Sequence, residues 1–313
     1  MSLAPANPEL LPWALAQLDA SAADSFEPVA GDASARRYFR LTLPGQSLIA
    51  VEAPPGSENN PEFLAVRALL EAAGICVPAL IAADLARGFL LLGDLGDRLL
   101  WHELSPVSAD AGYQAAFDVL QQMGGISVSD PDWPRYDDAL LSEELSRFPH
   151  WFVSQLLSIE EPPSAVWEPL VALLKASALE QPRVLVHRDF HSRNLMPQAD
   201  GGLAVIDFQD AVLGPVTYDL VSLLRDCYVR REPQQVRSWA MDYLVRLRRV
   251  GELQGVSAAD FLRWFDLMGL QRHLKVLGTF ARLYLRDGKP AYLDDLPLVM
   301  RYVSEVLQQY GDE

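Results

Sequence analysis

Apolar residues recur along this chain with two different periods, and the dominant period changes part-way. Residues 8–20 carry Leu11, Leu15 and Leu18 at helical spacing, which predicts a short amphipathic helix. Residues 26–30 then read as a strand. In Arg37–Leu43, Phe39, Leu41 and Leu43 share one face while Tyr38, Arg40 and Thr42 share the other, the pattern of a half-buried strand. A further strand over 47–53 is closed by Pro54-Pro55-Gly56. A helix over 61–73 follows, with Pro61 at its first position and Gly74 at its end. Residues 75–82 and 88–92 read as two more strands. From Ser108 onward the helical period takes over. Helices are expected over 109–123, over 137–157 with a kink at Pro149, and over 167–179. Another opens at Tyr218, and three more cover 233–250, 257–286 and 296–310.

One interruption of the helical part holds the chemistry. Residues 184–186 form a short apolar strand, followed by the polar octet His187-Arg188-Asp189-Phe190-His191-Ser192-Arg193-Asn194. Asp200-Gly201-Gly202 supplies a turn, and residues 203–206 a second strand that ends in Asp207-Phe208-Gln209. The two strands are expected to act as a hairpin-like unit presenting Asp189, Asn194 and Asp207 from one end. Such a set suits phosphoryl transfer. One carboxylate accepts the proton of an attacking hydroxyl, while an amide oxygen and a second carboxylate hold magnesium, which prefers hard oxygen ligands. A turn cap at Asp189 and Asn194, with Asp207 merely closing a strand, is the plainer alternative.

The octet and the Asp-Phe pair together resemble the catalytic and metal-binding motifs of the kinase-like superfamily, with Phe190 in place of a leucine. GDASARRYFRL, GFLLLGDLGD and QRHLKVLGTFARLYLRDGKPAYLDDLP resemble the aminoglycoside-phosphotransferase branch. Within it they are most similar to the anomeric sugar kinases of cell-wall recycling. The similarity runs from about residue 10 to the C-terminus. It implies an α+β, bilobal protein-kinase-like fold with a small β-rich N-lobe and a mostly helical C-lobe. It also implies ATP and Mg2+ as cofactors, and a small-molecule sugar as substrate, phosphorylated on the anomeric hydroxyl of N-acetylmuramate or N-acetylglucosamine. Asp189 would be the base and Asn194 and Asp207 the metal ligands. Arg188 and His187 would organise the loop, and His191 and Arg193 would stabilise the moving charge. An aspartate at position 219 supports the catalytic loop in such proteins; as a plain sequence feature it also suits a helix cap.

The resemblance gives the first part of the chain its roles. Strand, Gly31-Asp32-Ala33-Ser34-Ala35-Arg36, strand is the arrangement that covers nucleotide phosphates, although a polar hairpin reads the same. Gly31, Ser34 and Arg36 are its candidates. Gly93-Asp94-Leu95-Gly96-Asp97 falls where a hinge would meet adenine, making Asp94 and Leu95 cofactor-side candidates; an ordinary glycine turn reads equally well. The lobe boundary is therefore set at 95, giving an N-lobe over 1–95 and a C-lobe over 96–313. One position departs from the protein-kinase pattern. The strand that should carry a phosphate-neutralising lysine reads Ile49-Ala50-Val51-Glu52, and the chain's three lysines, Lys175, Lys275 and Lys289, all lie later. An arginine must replace it. Arg36, Arg37 and Arg40 are available, and strand alternation favours Arg40, held by Glu52.

Composition narrows the partners. The formal charge of −16 argues against nucleic acid or an anionic membrane surface, either of which needs a basic patch. No apolar run reaches membrane-spanning length and no basic-then-apolar leader opens the chain, so the expected location is cytoplasmic. Cys76 and Cys227 lack metal-ligand spacing and are expected as buried free thiols. About a dozen residues separate Asp207 from Asp219, little room for a segment that docks a polypeptide, which favours a small acceptor. Gln271 and Arg272 are candidates on its side. An aminoglycoside phosphotransferase is the alternative of the same chemistry. A non-catalytic kinase-like binding protein is the other, with the missing strand lysine as its support.

Overall fold

The computed structural model describes residues 5–29, 35–105 and 107–311, so Gly31 and Ser34 of the expected phosphate loop lie outside the described residues. The chain divides into two compact units. The first runs to Arg98 and takes in Met196–Asp210; the second comprises Leu99–Leu195 and Ala211 onward. The expected boundary at 95 lies close to that break. The expected assignment of all later residues to one lobe differs from it at Met196–Asp210.

In the first unit, helix α1 (Leu10–Ala16) packs on an antiparallel sheet of β1 (Ser25–Val29), β2 (Arg37–Leu43), β3 (Gln46–Glu52), β4 (Leu80–Asp84) and β5 (Phe89–Gly93), ordered β1-β2-β3-β5-β4. The alternation read in β2 is realised, with Phe39, Leu41 and Leu43 buried. The face of α1 is rotated from the expected one. Leu10, Trp13 and Ala14 are buried, and Leu11, Leu15 and Leu18 only flank the core, because Trp13 seats its ring 5.6 Å from Phe89. The strand expected over 75–82 begins only at Leu80, since Pro78 has no N–H to give a ladder. Helix α2 (Asn60–Ala72) buries Phe63, Val66 and Leu70.

The later segment of this unit corrects the expected hairpin. Strand β8 (Leu203–Val205) pairs with β7 (Leu195–Pro197), not with β6 (Arg183–Val186). A tight turn joins the strands that flank it, and the turn here is closed by Gln198 N–H to Gly202 O at 2.9 Å with Gly201 at φ +86°. The Val205 N–H also donates to Cys76 O at 2.9 Å, leaving the Cys76 residue exposed and not buried as expected.

In the second unit, β6 pairs instead with β9 (Val212–Pro215). Around this ribbon lie α3 (Leu100–Glu103), α4 (Ala109–Gly124), α5 (Asp138–Arg147), α6 (Ser164–Leu179), α7 (Tyr218–Leu224), α8 (Pro233–Arg249), α9 (Ala258–Leu285) and α10 (Leu296–Tyr310). Helix α9 is the spine, touching α5, α6, α7, α8 and α10. At Pro149 the expected kink takes the form of a π-helix, Phe148–Leu156, continuing from α5. Proline cannot donate the intrahelical bond and crowds the preceding turn, and the wider winding accommodates both. No helix among the described residues is long and apolar enough to cross a membrane.

Helix α9 meets the end of α5 at Gly278, where an added Cβ would lie 2.4 Å from the Arg147 carbonyl carbon. Gly278→Ala should therefore destabilise the protein by about 1–3 kcal/mol through overpacking. Gly255→Ala, which meets open space, is the control. Equal melting temperatures for the two variants would show that the contact yields freely.

Candidate active site

The octet follows β6 as an irregular loop, and its backbone is strapped at several points. The Asp219 carboxylate, in the first turn of α7, accepts the N–H groups of His187 at 2.6 Å and Arg188 at 3.0 Å. Burial pushes the Asp219 carboxyl up to about 6, against the pull of His187 and the two N–H groups. His187 Nδ1 accepts the Asp189 N–H at 3.2 Å, and Asn194 Nδ2 donates to Asp189 O at 3.0 Å. Further along, Asp226 accepts both the N–H and the hydroxyl of Ser192.

These straps leave the Asp189 side chain half-buried at the loop's apex. Among the described residues no hydrogen-bond donor meets its carboxylate. Burial opposes its ionisation, but the charges of Lys275, His191, Arg272 and Arg188 outweigh that and hold it well below the usual carboxylate range. It is thus an ionised acceptor. The Asn194 amide nitrogen is engaged by the Asp189 carbonyl, so the amide presents its oxygen, a hard donor suited to magnesium.

Arg188 does not face the apex. Its backbone stands at φ +76°, a left-handed conformation that an L side chain rarely adopts. Its guanidinium reaches Glu144 on α5 at 2.6 Å. Glu144 is fully buried, lies 3.3 Å from Lys275 on α9, and accepts the Tyr136 hydroxyl. Gln271 donates to that same Tyr136 hydroxyl at 2.8 Å. Burial works against ionised Glu144, but Lys275 and Arg188 bring its carboxyl down to about 2. Sequence reading missed Glu144. Its signal was an acid at helical spacing from Leu141, inside an otherwise apolar stripe. Asp226, likewise unforeseen, follows directly on an apolar helix.

His191 is buried edge-on to Tyr228. The Arg193 guanidinium lies 3.6 Å from the Tyr228 ring centroid and 4.4 Å from that of Trp101, a cation held by two aromatic faces.

In the first unit, Asp207 follows β8 at φ +63° and accepts Gln209 Nε2 at 2.8 Å, so the glutamine following Asp-Phe fixes that carboxylate. Phe208 stacks on Phe63 of α2 at 5.0 Å. Arg36 is buried over the same Phe63, with its Nη2 3.3 Å from Asn60 Oδ1 and 3.6 Å from Glu58. Burial pushes the Tyr38 phenol up to about 12, and Arg36, Asp207 and Glu58 all act on it, so these four groups share one neighbourhood.

Arg40 is elsewhere. It pairs with Asp94 at 2.7 Å and with Asp97 at 2.9 Å, and Ser47 also donates to Asp94. Burial would raise the Asp94 carboxyl, but Arg40 and Ser47 hold it low. The expected Arg40–Glu52 pair does not form. The β2–β3 register sets Arg37 opposite Glu52 and Arg40 opposite Ile49, and Arg37 takes the Glu52 carboxylate at 2.5 Å. Leu95 follows as a half-buried residue.

Comparison with known proteins agrees with this chemistry. Residues 25–253 match the phosphotransferase enzyme family. A protein of Pseudomonas putida named N-acetylmuramate/N-acetylglucosamine kinase is 44% identical over 287 residues, 91% of this chain and 84% of that relative. One of the same name from Neisseria meningitidis is 37% identical over 291 residues, 90% of this chain and 86% of that one. Among solved structures, the choline kinase LicA of Streptococcus pneumoniae gives a TM-score of 0.65 at 14% identity, covering 95% of this chain and 98% of that one. An aminoglycoside phosphotransferase in ternary complex with AMP-PNP and hygromycin B gives 0.63 at 14% identity, covering 98% of this chain and 100% of that one. At such identities the likeness speaks for a kinase-like α+β fold alone.

Glu144→Gln would leave Arg188 and Lys275 buried without a carboxylate. It should cost about 3–5 kcal/mol in denaturant melts near neutral pH. The folded Glu144 carboxyl sits at about 2 and the unfolded one near 4.5, so its stabilisation is full above the latter and is lost as pH falls towards the former. The variant should accordingly lose less stability than its parent over that acid window. Parallel acid titrations of stability would remove Glu144 from this role.

Proposed function

The chain belongs to the phosphotransferase enzyme family, and from that premise we propose that it is an ATP-dependent sugar kinase of cell-wall recycling. It phosphorylates the anomeric hydroxyl of N-acetylmuramate or N-acetylglucosamine, yielding the sugar 1-phosphate and ADP. The observation that carries the reading is the Asp189 carboxylate, ionised, half-buried and, among the described residues, met by no donor at the apex of a strapped loop. The acceptor hydroxyl donates to Asp189 and its oxygen forms a bond to the γ-phosphorus. The bond to the β–γ bridging oxygen breaks, and the hydroxyl proton passes to Asp189.

Asn194 and Asp207 would hold magnesium, which when bound neutralises charge on the nucleotide phosphates. Loop residues from Gly31 through Ser34 to Arg36 would cover those phosphates, with Asp94 and Leu95 on the adenine side. Arg36 is the better replacement for the strand lysine. It is buried, it has a carboxylate partner in Glu58, and it shares a neighbourhood with Asp207, whereas Arg40 is committed to Asp94 and Asp97. His191 and Arg193 would add positive charge beside the loop, and Arg188 positions it through Glu144. ATP supply sets the reaction in the cytoplasm.

Two outcomes are expected. Asp189→Asn keeps the shape and removes the base, so turnover should drop by about 10²–10⁴-fold with nucleotide affinity little changed. The acceptor assignment is tested with methyl glycosides, which lack a free anomeric hydroxyl. The enzyme should phosphorylate the reducing sugars, spare the glycosides and give a product without a reducing end. A glycoside used at the same rate would move the reaction to another hydroxyl and leave the kinase standing. Turnover of aminoglycosides and of neither amino sugar would favour the antibiotic-modifying alternative.

The cation is tested by nucleotide binding. Arg36→Ala should weaken ATP binding by about tenfold or more, and Arg40→Ala should do so less. The reverse order, read by calorimetry, would return Arg40 to the phosphates.

A further inference from the structure

Among the described residues four Arg or Lys side chains are buried: Arg36, Arg67, Arg272 and Lys275. Three of them have a carboxylate within ion-pair reach. Arg36 has Glu58 at 3.6 Å, Arg67 has Glu71 at 2.6 Å, and Lys275 has Glu144 at 3.3 Å. Arg272 on α9 has none. It is 2% exposed, its Nη1 meets only the Cys227 thiol at 3.4 Å, and its Nε has no partner. A guanidinium stays charged at any pH a cell experiences, and a buried charge without a counterion costs several kcal/mol. A thiol is a weak acceptor and no substitute for an anion.

The surroundings say which ligand could supply it. Cys227 follows Asp226, the residue that straps Ser192 of the catalytic loop. Lys275, on the same helix as Arg272, pairs with the Glu144 that holds Arg188. Arg272 thus neighbours residues that hold the loop presenting Asp189, and its charge is among those keeping Asp189 ionised.

We propose that Arg272 is a specificity residue that binds a carboxylate on the acceptor sugar. The inference rests on the sugar-kinase reading and deepens it. Of the two sugars in the relatives' name, N-acetylmuramate carries a lactyl carboxylate and N-acetylglucosamine does not. A guanidinium is suited to a carboxylate by its planar fork of donors. The same cation would face only hydroxyls when the uncharged sugar binds, so the two acceptors should differ in how much of their binding depends on Arg272.

The test compares N-acetylmuramate, its lactyl methyl ester and N-acetylglucosamine, all with the anomeric hydroxyl free. With the unaltered protein, kcat/KM should favour the acid over its ester by about ten- to a hundredfold, the range of a charged hydrogen bond. In Arg272→Gln that ratio should approach one, and Arg272→Lys should restore part of it. The acid-to-ester comparison in the unaltered protein needs no variant, so it can overturn the inference even if the substitutions fail to fold. Equal use of acid and ester, or a ratio that survives Arg272→Gln, would overturn the inference. So would an Arg272→Gln variant slowed equally on all three sugars, since that pattern belongs to a cation acting on the phosphoryl group or on Asp189. Turnover without discrimination defeats this inference alone; no turnover on any of the three defeats the sugar-kinase reading and the inference with it.

Discussion

A single buried carboxylate, Glu144, organises the second unit. It meets Arg188 from the loop and Lys275 from α9, with Tyr136 donating to the same group. Burying these charges is costly in itself, but once they are buried, losing the one anion would leave two cations uncompensated, so the cluster holds its three partners together. Its structural effect falls on Arg188. A residue with a Cβ at φ +76° is strained, and the ion pair at the far end of the side chain offsets that strain. Asp219 fixes the same stretch from the backbone side. The loop is consequently held from two directions, which is what a base needs if its position is to be fixed by other groups.

The first unit solves a sorting problem among arginines. With no lysine before position 175, its side-chain cations are arginines, and the three candidates for the phosphates each meet a different carboxylate. Arg37 takes Glu52 through the strand register, Arg40 takes Asp94 and Asp97, and Arg36 lies near Glu58. Two of the three pairings hold strands or loops together. Burial separates Arg36 from the others and associates it with Asp207 around Tyr38. The acid at position 52, which looked like a loss of function against the protein-kinase pattern, is half of an ion pair across two interior strands.

What the sequence made legible follows from how local the information was. The β2 alternation and the order of the long helices are written within short windows, and both appear as expected. Partners chosen over long separations were not legible. Glu144 and Arg188 lie 44 residues apart, and only an acid in an apolar stripe hinted at the pairing. The partner of β6 was misread because a tight turn joins its immediate neighbours, a preference stronger than the resemblance between two apolar strands. For Arg40, alternation gave the face correctly and could not give the register, and the register decides which residue stands opposite Glu52.

Asp219 sets local order against global stability. Its folded carboxyl sits near 6, above the unfolded one, so the folded state holds the extra proton between the two values. By linkage its contribution to stability is full below the unfolded value and is lost as pH rises through the folded one. Ionised Asp219, however, is the better acceptor for the two N–H groups of the loop. Mild acid therefore relieves the fold while slackening the catalytic loop, and neutrality tightens the loop at the fold's expense. At this one carboxyl, the contribution to folding is greatest where its grip on the loop is weakest.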